Sequence, residues 1–252
     1  MVRIKPNKRF PKDVENLQDN LEPHYDNIDN IVERVIQPKV SNNQFKYFEA
    51  CQFKIKGIWS LYNRIQILDN HYKKYLSLCI SKNVIRKLKL RGNSDCYFYF
   101  PFYEALEFEN LLGQGKACLD CFSKAIGSMY GESPNNIDKL LSVLEGKKDD
   151  KVNKIIEPLR KAKEKLRGSI IDPKKGRKGI RDLISHRERI DIFFTIRPDA
   201  KEKRYILSEG ALLNFKHPEI DKFPNYLVKE ISAKIWSLLF GIIENCFSAQ
   251  FK

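Results

Sequence analysis

Residues 102–131 read FYEALEFENLLGQGKACLDCFSKAIGSMYG. Leu106, Phe108, Leu111, Leu112, Cys118, Cys121, Phe122, Ile126 and Met129 recur at threes and fours, the period of an amphipathic helix. The stripe is broad, as expected of a helix packed by neighbours on several sides, and Gly131 is a natural stop. A mainly α fold follows from this stretch.

Working outward, residues 43–81 repeat the pattern through Phe45, Phe48, Ile55, Ile58, Tyr62, Ile65 and Leu68, with no proline, which predicts one long helix or two consecutive ones. Val84–Arg91 alternates apolar and basic residues, and Cys96–Phe100 is rich in strand formers, so a short hairpin is expected between the two helical regions. Residues 1–40 carry Pro6, Pro11, Pro23 and Pro38 and read as a peripheral arm ending in a helix over 28–36. Downstream, 135–144 and 149–167 read as two further helices, with Pro158 starting or kinking the later one.

A linker, 168–179, leads into another helical stretch at Ile180. The run 189–196 is β-branched and aromatic and is broken by Pro198-Asp199; 204–207 and 211–215 are its expected antiparallel partners. A last helix is expected from about 223 to 247. The resulting organisation is a helical bundle with small antiparallel β elements: an arm over 1–40, then one helical domain over 41–252 with a β insertion at about 189–215.

The 252 residues are 42% hydrophobic and 31% charged, a composition that supports a globular core rather than disorder. A net charge of +14, from 46 Lys and Arg against 32 Asp and Glu, attracts a polyanion and favours nucleic acid as a partner. A lysine-rich surface without that role gives the same figure, so charge alone does not decide it. No apolar run reaches the roughly 18 residues of a membrane span and none follows the basic start as in a signal peptide, so a cytoplasmic protein without a membrane partner is expected. The six cysteines are scattered, which fits reduced thiols. Cys118 and Cys121 form a lone C-x-x-C without a second pair or nearby His, read as buried helix residues, and no metal or cofactor is expected.

The stretch Ile180-Arg181-Asp182-Leu183-Ile184-Ser185-His186 puts Ile180, Leu183 and Ile184 on one helical face and Arg181, Asp182, Ser185 and His186 on the rest. Arg181 and His186 then lie about 140° apart around the axis and about 7.5 Å apart along it, so both reach one substrate only near a helix end or across a cleft. Asp182, four residues before His186, is placed to hydrogen-bond the imidazole and hold its tautomer. Lys174, Lys175, Arg177, Lys178, Arg187 and Arg189 flank the stretch and are candidate phosphate contacts; a solvated basic loop is the plain alternative. Glu107, Asn110 and Gln114 lie at helical spacing, where they could face this helix.

Arg, four intervening residues led by an acidic one, then His resembles the motif of the HEPN superfamily. The resemblance implies a helical bundle that dimerises so that two motifs face one cleft, with Arg181 and His186 at the catalytic positions and Asp182 at the polar support position. It further implies a metal-independent endoribonuclease, a toxin or defence role, and an antitoxin or other regulatory protein as partner. In that chemistry a ribose 2′-hydroxyl attacks its own phosphate; His186 moves protons and Arg181 stabilises the anionic phosphorane. The alternative is a catalytically inactive HEPN-like nucleic-acid-binding or regulatory protein, in which the basic surface matters and the motif does not.

Overall fold

In a computed structural model, the structure describes residues 28–81, 97–147, 149–172, 179–185, 190–199, 201, 204–215 and 226–251. The fold is mainly α, a bundle of helices carrying a small antiparallel sheet.

The apolar period of residues 43–81 forms a single helix, α1 (Asn42–Ser81), whose 40 residues span about 60 Å. Its buried positions run Phe48, Cys51, Ile55, Ile58, Leu61, Ile65, Leu68, Tyr72 and Leu76, the alternation of threes and fours that keeps one seam against a neighbour. That neighbour is α2 (Phe102–Ser128), which also packs against three other helices, and this explains its broad stripe. Gly131 follows it in the left-handed region, φ +74°. Before α1, Ile28 and a π-helical segment (Asn30–Ile36), through Val32 and Ile36, join the same core, and a 3-10 turn (Gln37–Lys39) leads on to α1.

Two amphipathic helices follow. In α3 (Ile137–Glu145) the N-cap side chain of Asn136 accepts a bond from the Lys139 N–H; in α4 (Asp150–Leu166) that of Asp149 accepts from the Lys151 N–H. Pro158 lies inside α4 on its exposed side rather than at its start. The short α5 (Ile180–Ser185) contacts α2, and the last helix, α6 (Val228–Phe251), closes the bundle against α1, α2 and α4. Phe122, Phe247, Phe48 and Phe251 meet where α1, α2 and α6 converge, with ring centroids 5.0–5.9 Å apart.

Strand β1 (Tyr97–Tyr99) pairs with β2 (Ile190–Asp199), Phe98 opposite Thr195; the expected hairpin partner at 84–91 lies outside the described residues. Two features depart from expectation. Strand β2 runs through Pro198, which sits opposite Tyr205 of β3 (Arg204–Leu207); an exposed proline at the sheet's end costs few ladder bonds. Second, α6 starts at Val228 instead of about 223, because Tyr226–Leu227 forms β5 against β4 (Leu212–Phe215).

Strands β3 and β4 both pair with the same side of β2, and the segment 208–211 between them bulges toward α1. Tyr99 and Phe194 pack on Tyr72, laying the sheet over the C-terminal half of α1. Among the described residues, no helix is long and apolar enough to cross a membrane.

Candidate functional site around Arg181

Arg181 is positioned by backbone bonds made before its own side chain is considered. At the end of α4, Gly168 adopts φ +81°, and its N–H donates to the Ile171 carbonyl at 2.8 Å, folding 167–171 into a tight turn. The first turn of α5 docks on it: the N–H of Ile180 donates to Gly168 O (2.9 Å) and that of Arg181 to Ser169 O (3.0 Å). Two N–H groups orphaned at the start of a helix are thereby satisfied.

Asp172 completes the junction by accepting the Gly179 N–H at 3.0 Å. A Cβ on Gly179 would lie 3.2 Å from both Ile171 O and Ser169 O, so glycine is the residue that lets the chain pass this close. Ile180, one of the three residues of the expected apolar face, is buried and pins the start of α5; the side chains of Leu183 and Ile184 lie outside the described ones. The guanidinium of Arg181 contacts the carboxylate of Asp182, and both side chains are partly buried at 30% and 18% exposure.

Arg181 lines a cleft of about 390 Å³ bounded by α2, the start of α3, the turn after α4, and α5. The apolar part comes from Leu119, Ile137, Ile170 and Ile171. The rim carries the cations Lys116, Arg167 and Arg181 together with Asn136, Asp138 and Asp172. Most of these polar side chains have an anchor: Lys116 bonds Asp120 at 2.6 Å, Arg167 pairs with Glu164 at 2.8 Å, Asp138 contacts Lys163, and Asn136 caps α3. The cleft combines a polar rim carrying both charge signs with an apolar floor.

His186, Lys174, Lys175, Arg177, Lys178, Arg187 and Arg189 lie outside the described residues, so Arg181 and Asp182 are the motif residues whose geometry is on view. The cleft residues on α2, α3 and the turn after α4 are not singled out by the sequence reading. The one local signal is Asn136 immediately before an apolar helical run, an N-cap pattern. Glu107 does not turn toward α5: it is buried against α1 and pairs with Arg64 at 3.2 Å, while Asn110 is exposed.

A second polar cluster is enclosed in the core. Asp69 of α1, 1% exposed, accepts the Ala211 N–H at 3.0 Å and lies 3.5 Å from Lys229 Nζ at the start of α6. It ties the β3–β4 bulge to the helices, and a Cβ on Gly210 would come 2.6 Å from its Oδ1. Beside it Glu104 of α2 is 0% exposed, and neither carboxyl oxygen meets a hydrogen-bond partner among the described residues. Burial first, then the neighbouring Asp69, pushes the Glu104 carboxyl up to about 9, and Lys229 offsets part of this. Glu104 is therefore protonated at neutral pH. Both acids fall on the buried stripes, Asp69 between Ile65 and Tyr72 and Glu104 four before Phe108; that placement is the signal a sequence reading could use.

Cys51, Cys79, Cys118, Cys121 and Cys246 are free thiols. Cys51 of α1 meets Cys118 of α2 in a hydrogen bond, and burial pushes the Cys51 thiol well up; burial also raises the Cys246 thiol, to about 12. Such thiols stay protonated and behave as small core residues. Among the described residues, no three His, Cys, Asp or Glu side chains are placed to hold a metal ion. No protein-family model matches the chain, and no curated protein or solved structure matches it.

Proposed function

We propose that the protein is a metal-independent endoribonuclease of HEPN type, with Arg181 and His186 as its catalytic pair. The observation that carries this reading is the placement of Arg181: a guanidinium held on a docked helical turn, oriented by Asp182, in the wall of an open cleft. A fixed cation of this kind is suited to the charge that builds on a pentacoordinate phosphorane, because it needs no rearrangement as the reaction proceeds. Arginine remains charged across the working pH range and can present two donors to two phosphate oxygens.

The remaining chemistry belongs to His186. Its imidazole takes the proton of the ribose 2′-hydroxyl or returns one to the leaving 5′-oxygen, work that requires a group titrating near neutrality. The net charge of +14 supports encounter with RNA, and the mainly α bundle supports the family reading without identifying it. We propose further that a homodimer brings two motifs to one groove, since five residues of separation leave the two side chains of one helix poorly converged.

Incubating the purified protein with RNA in excess chelator tests this. Cleavage lost in both Arg181→Ala and His186→Ala, with unchanged fold and oligomeric state, is the expected result; cleavage that persists in the His186 variant overturns the assignment. RNA binding without cleavage in the unaltered protein would favour the inactive, nucleic-acid-binding alternative.

A further inference from the structure

Building on the ribonuclease function proposed above, we propose that the cleft beside Arg181 is a base-selecting subsite that seats one nucleotide of single-stranded RNA and prefers bases bearing an exocyclic amino group over uracil.

The size is appropriate. At about 390 Å³ the cleft lies at the low end of the range of small-molecule pockets, roughly 300–1,000 Å³, and fits a single nucleotide rather than a longer segment. Its floor of Leu119, Ile137 and Ile170, all almost fully buried, offers an apolar surface for the face of a planar ring. Single-stranded RNA presents unstacked bases that can be splayed into such a pocket and read along their edges.

The charge pattern indicates which part of the nucleotide enters. A phosphate entering the cleft would pass the carboxylates of Asp138 and Asp172 on its rim, and each lining cation has an acidic neighbour, Asp120, Glu164 or Asp182, as Asp138 has Lys163. Away from the Arg181 end, the cleft is thus not built as an anion trap. A base is better matched, because a carboxylate accepts from an amino group, as it does from N4 of cytosine, and the cations can donate to ring nitrogens and carbonyls. Cytosine, adenine and guanine each present an amino group. Uracil presents only one N–H flanked by two carbonyl oxygens, which the carboxylates repel. The phosphates on either side of the seated nucleotide then run along the rim, where Arg181 marks the reacting end.

Two features restrict the recognition groups in advance of binding. Asp172 accepts the Gly179 N–H and Asp138 contacts Lys163, so each carboxylate has one contact that restricts its motion before a ligand arrives.

The test titrates the full-length protein with 5′-CMP, 5′-AMP, 5′-GMP, 5′-UMP and inorganic phosphate, following binding by calorimetry and by chemical-shift change. The amino-bearing nucleotides should bind about tenfold or more tighter than UMP or phosphate. The Asp138→Asn, Asp172→Asn double variant should lose that preference while keeping its thermal stability, since an asparagine at 172 can still accept from Gly179. Ile171→Trp, which adds bulk to the cleft lining, should abolish binding of all four nucleotides. Equal binding of UMP and CMP, phosphate binding as tight as the nucleotides, or no nucleotide binding at millimolar concentration overturns the subsite. Discrimination among nucleotides in a protein that cleaves no RNA upholds the subsite and removes the ribonuclease function. Cleavage of RNA without discrimination does the reverse.

Discussion

Glu104→Gln isolates the energetic effect of one buried proton. In the folded protein Glu104 is fully enclosed, unpartnered among the described residues and raised to about 9 against an ordinary 4.5. A carboxyl raised on folding contributes its full stability below the unfolded value and loses it as pH climbs toward the folded one. Relative to acid conditions, the native state is therefore destabilised by about 1.4 kcal/mol per pH unit above 4.5, reaching about 3 kcal/mol by pH 7 and levelling near 6 above pH 9. Against a total stability of about 5–15 kcal/mol this is a large fraction. Glutamine has the same shape and no titration. Its own buried amide carries a constant cost, so the slope of the difference, not its absolute size, is the measurement.

Urea unfolding of both proteins at pH 5, 6, 7 and 8 provides that slope. Trp59 and Trp236, the protein's two tryptophans, are suitable reporters: their rings lie 4.2 Å apart where α1 meets α6. The advantage of the Gln variant should grow by about 1.4 kcal/mol per pH unit. Asp69, Tyr72 and Lys229, the titratable groups beside Glu104, are present in both proteins and largely cancel. Parallel stability curves would refute the buried, protonated state of Glu104.

Five further outcomes are expected. Asp69→Ala leaves the Ala211 N–H buried without its acceptor and should cost about 1–3 kcal/mol in chemical denaturation, with hydrogen exchange rising first around 208–213. Gly127→Ala places a Cβ against the ring of Pro134 and should lower stability by about 1–3 kcal/mol, whereas Gly113→Ala, on the same helix with open space around the new Cβ, should raise it by about 0.5–1 kcal/mol. Phe122→Ala empties the junction of α1, α2 and α6 and should cost about 3–5 kcal/mol by the same assay. Gly168→Ala strains a residue at φ +81° on which α5 docks; it should cut RNA cleavage more than global stability, seen as a fall in turnover at unchanged secondary structure.

The helices were legible because their cause is local. Phe48, Ile55, Ile58, Ile65 and Leu68 repeat at helical spacing within one continuous segment, and so do Phe108, Leu111 and Leu112, so periodicity alone places α1 and α2. The partners β3 and β4 of β2 were also legible, being near it in sequence. The pairing of β1 with β2 was not: Phe98 meets Thr195 across a separation that no turn signal bridges, in a tertiary arrangement where Tyr99 and Phe194 both pack on Tyr72.

The same distinction holds at the site. Arg181 and Asp182 were visible as a motif, yet what orients them is a turn at Gly168–Ile171 and a glycine at 179, positions with no periodic signature. The cleft draws Lys116, Asn136 and Arg167 from three separate elements, and each reads alone as an ordinary surface residue. Asp69 and Glu104 do not stand out in the sequence because acids on an apolar stripe are hidden by the stronger signal of their neighbours.

The most direct measurement of the central claim is the chemistry of the cut ends. RNA cleaved by the protein in excess chelator should carry a 2′,3′-cyclic phosphate on one fragment and a free 5′-hydroxyl on the other, and replacing the ribose at the cleavage position by 2′-deoxyribose should abolish the cut. A 5′-phosphate product, or cleavage that survives the 2′-deoxy substitution, would contradict attack by the 2′-hydroxyl and with it the roles proposed for Arg181 and His186.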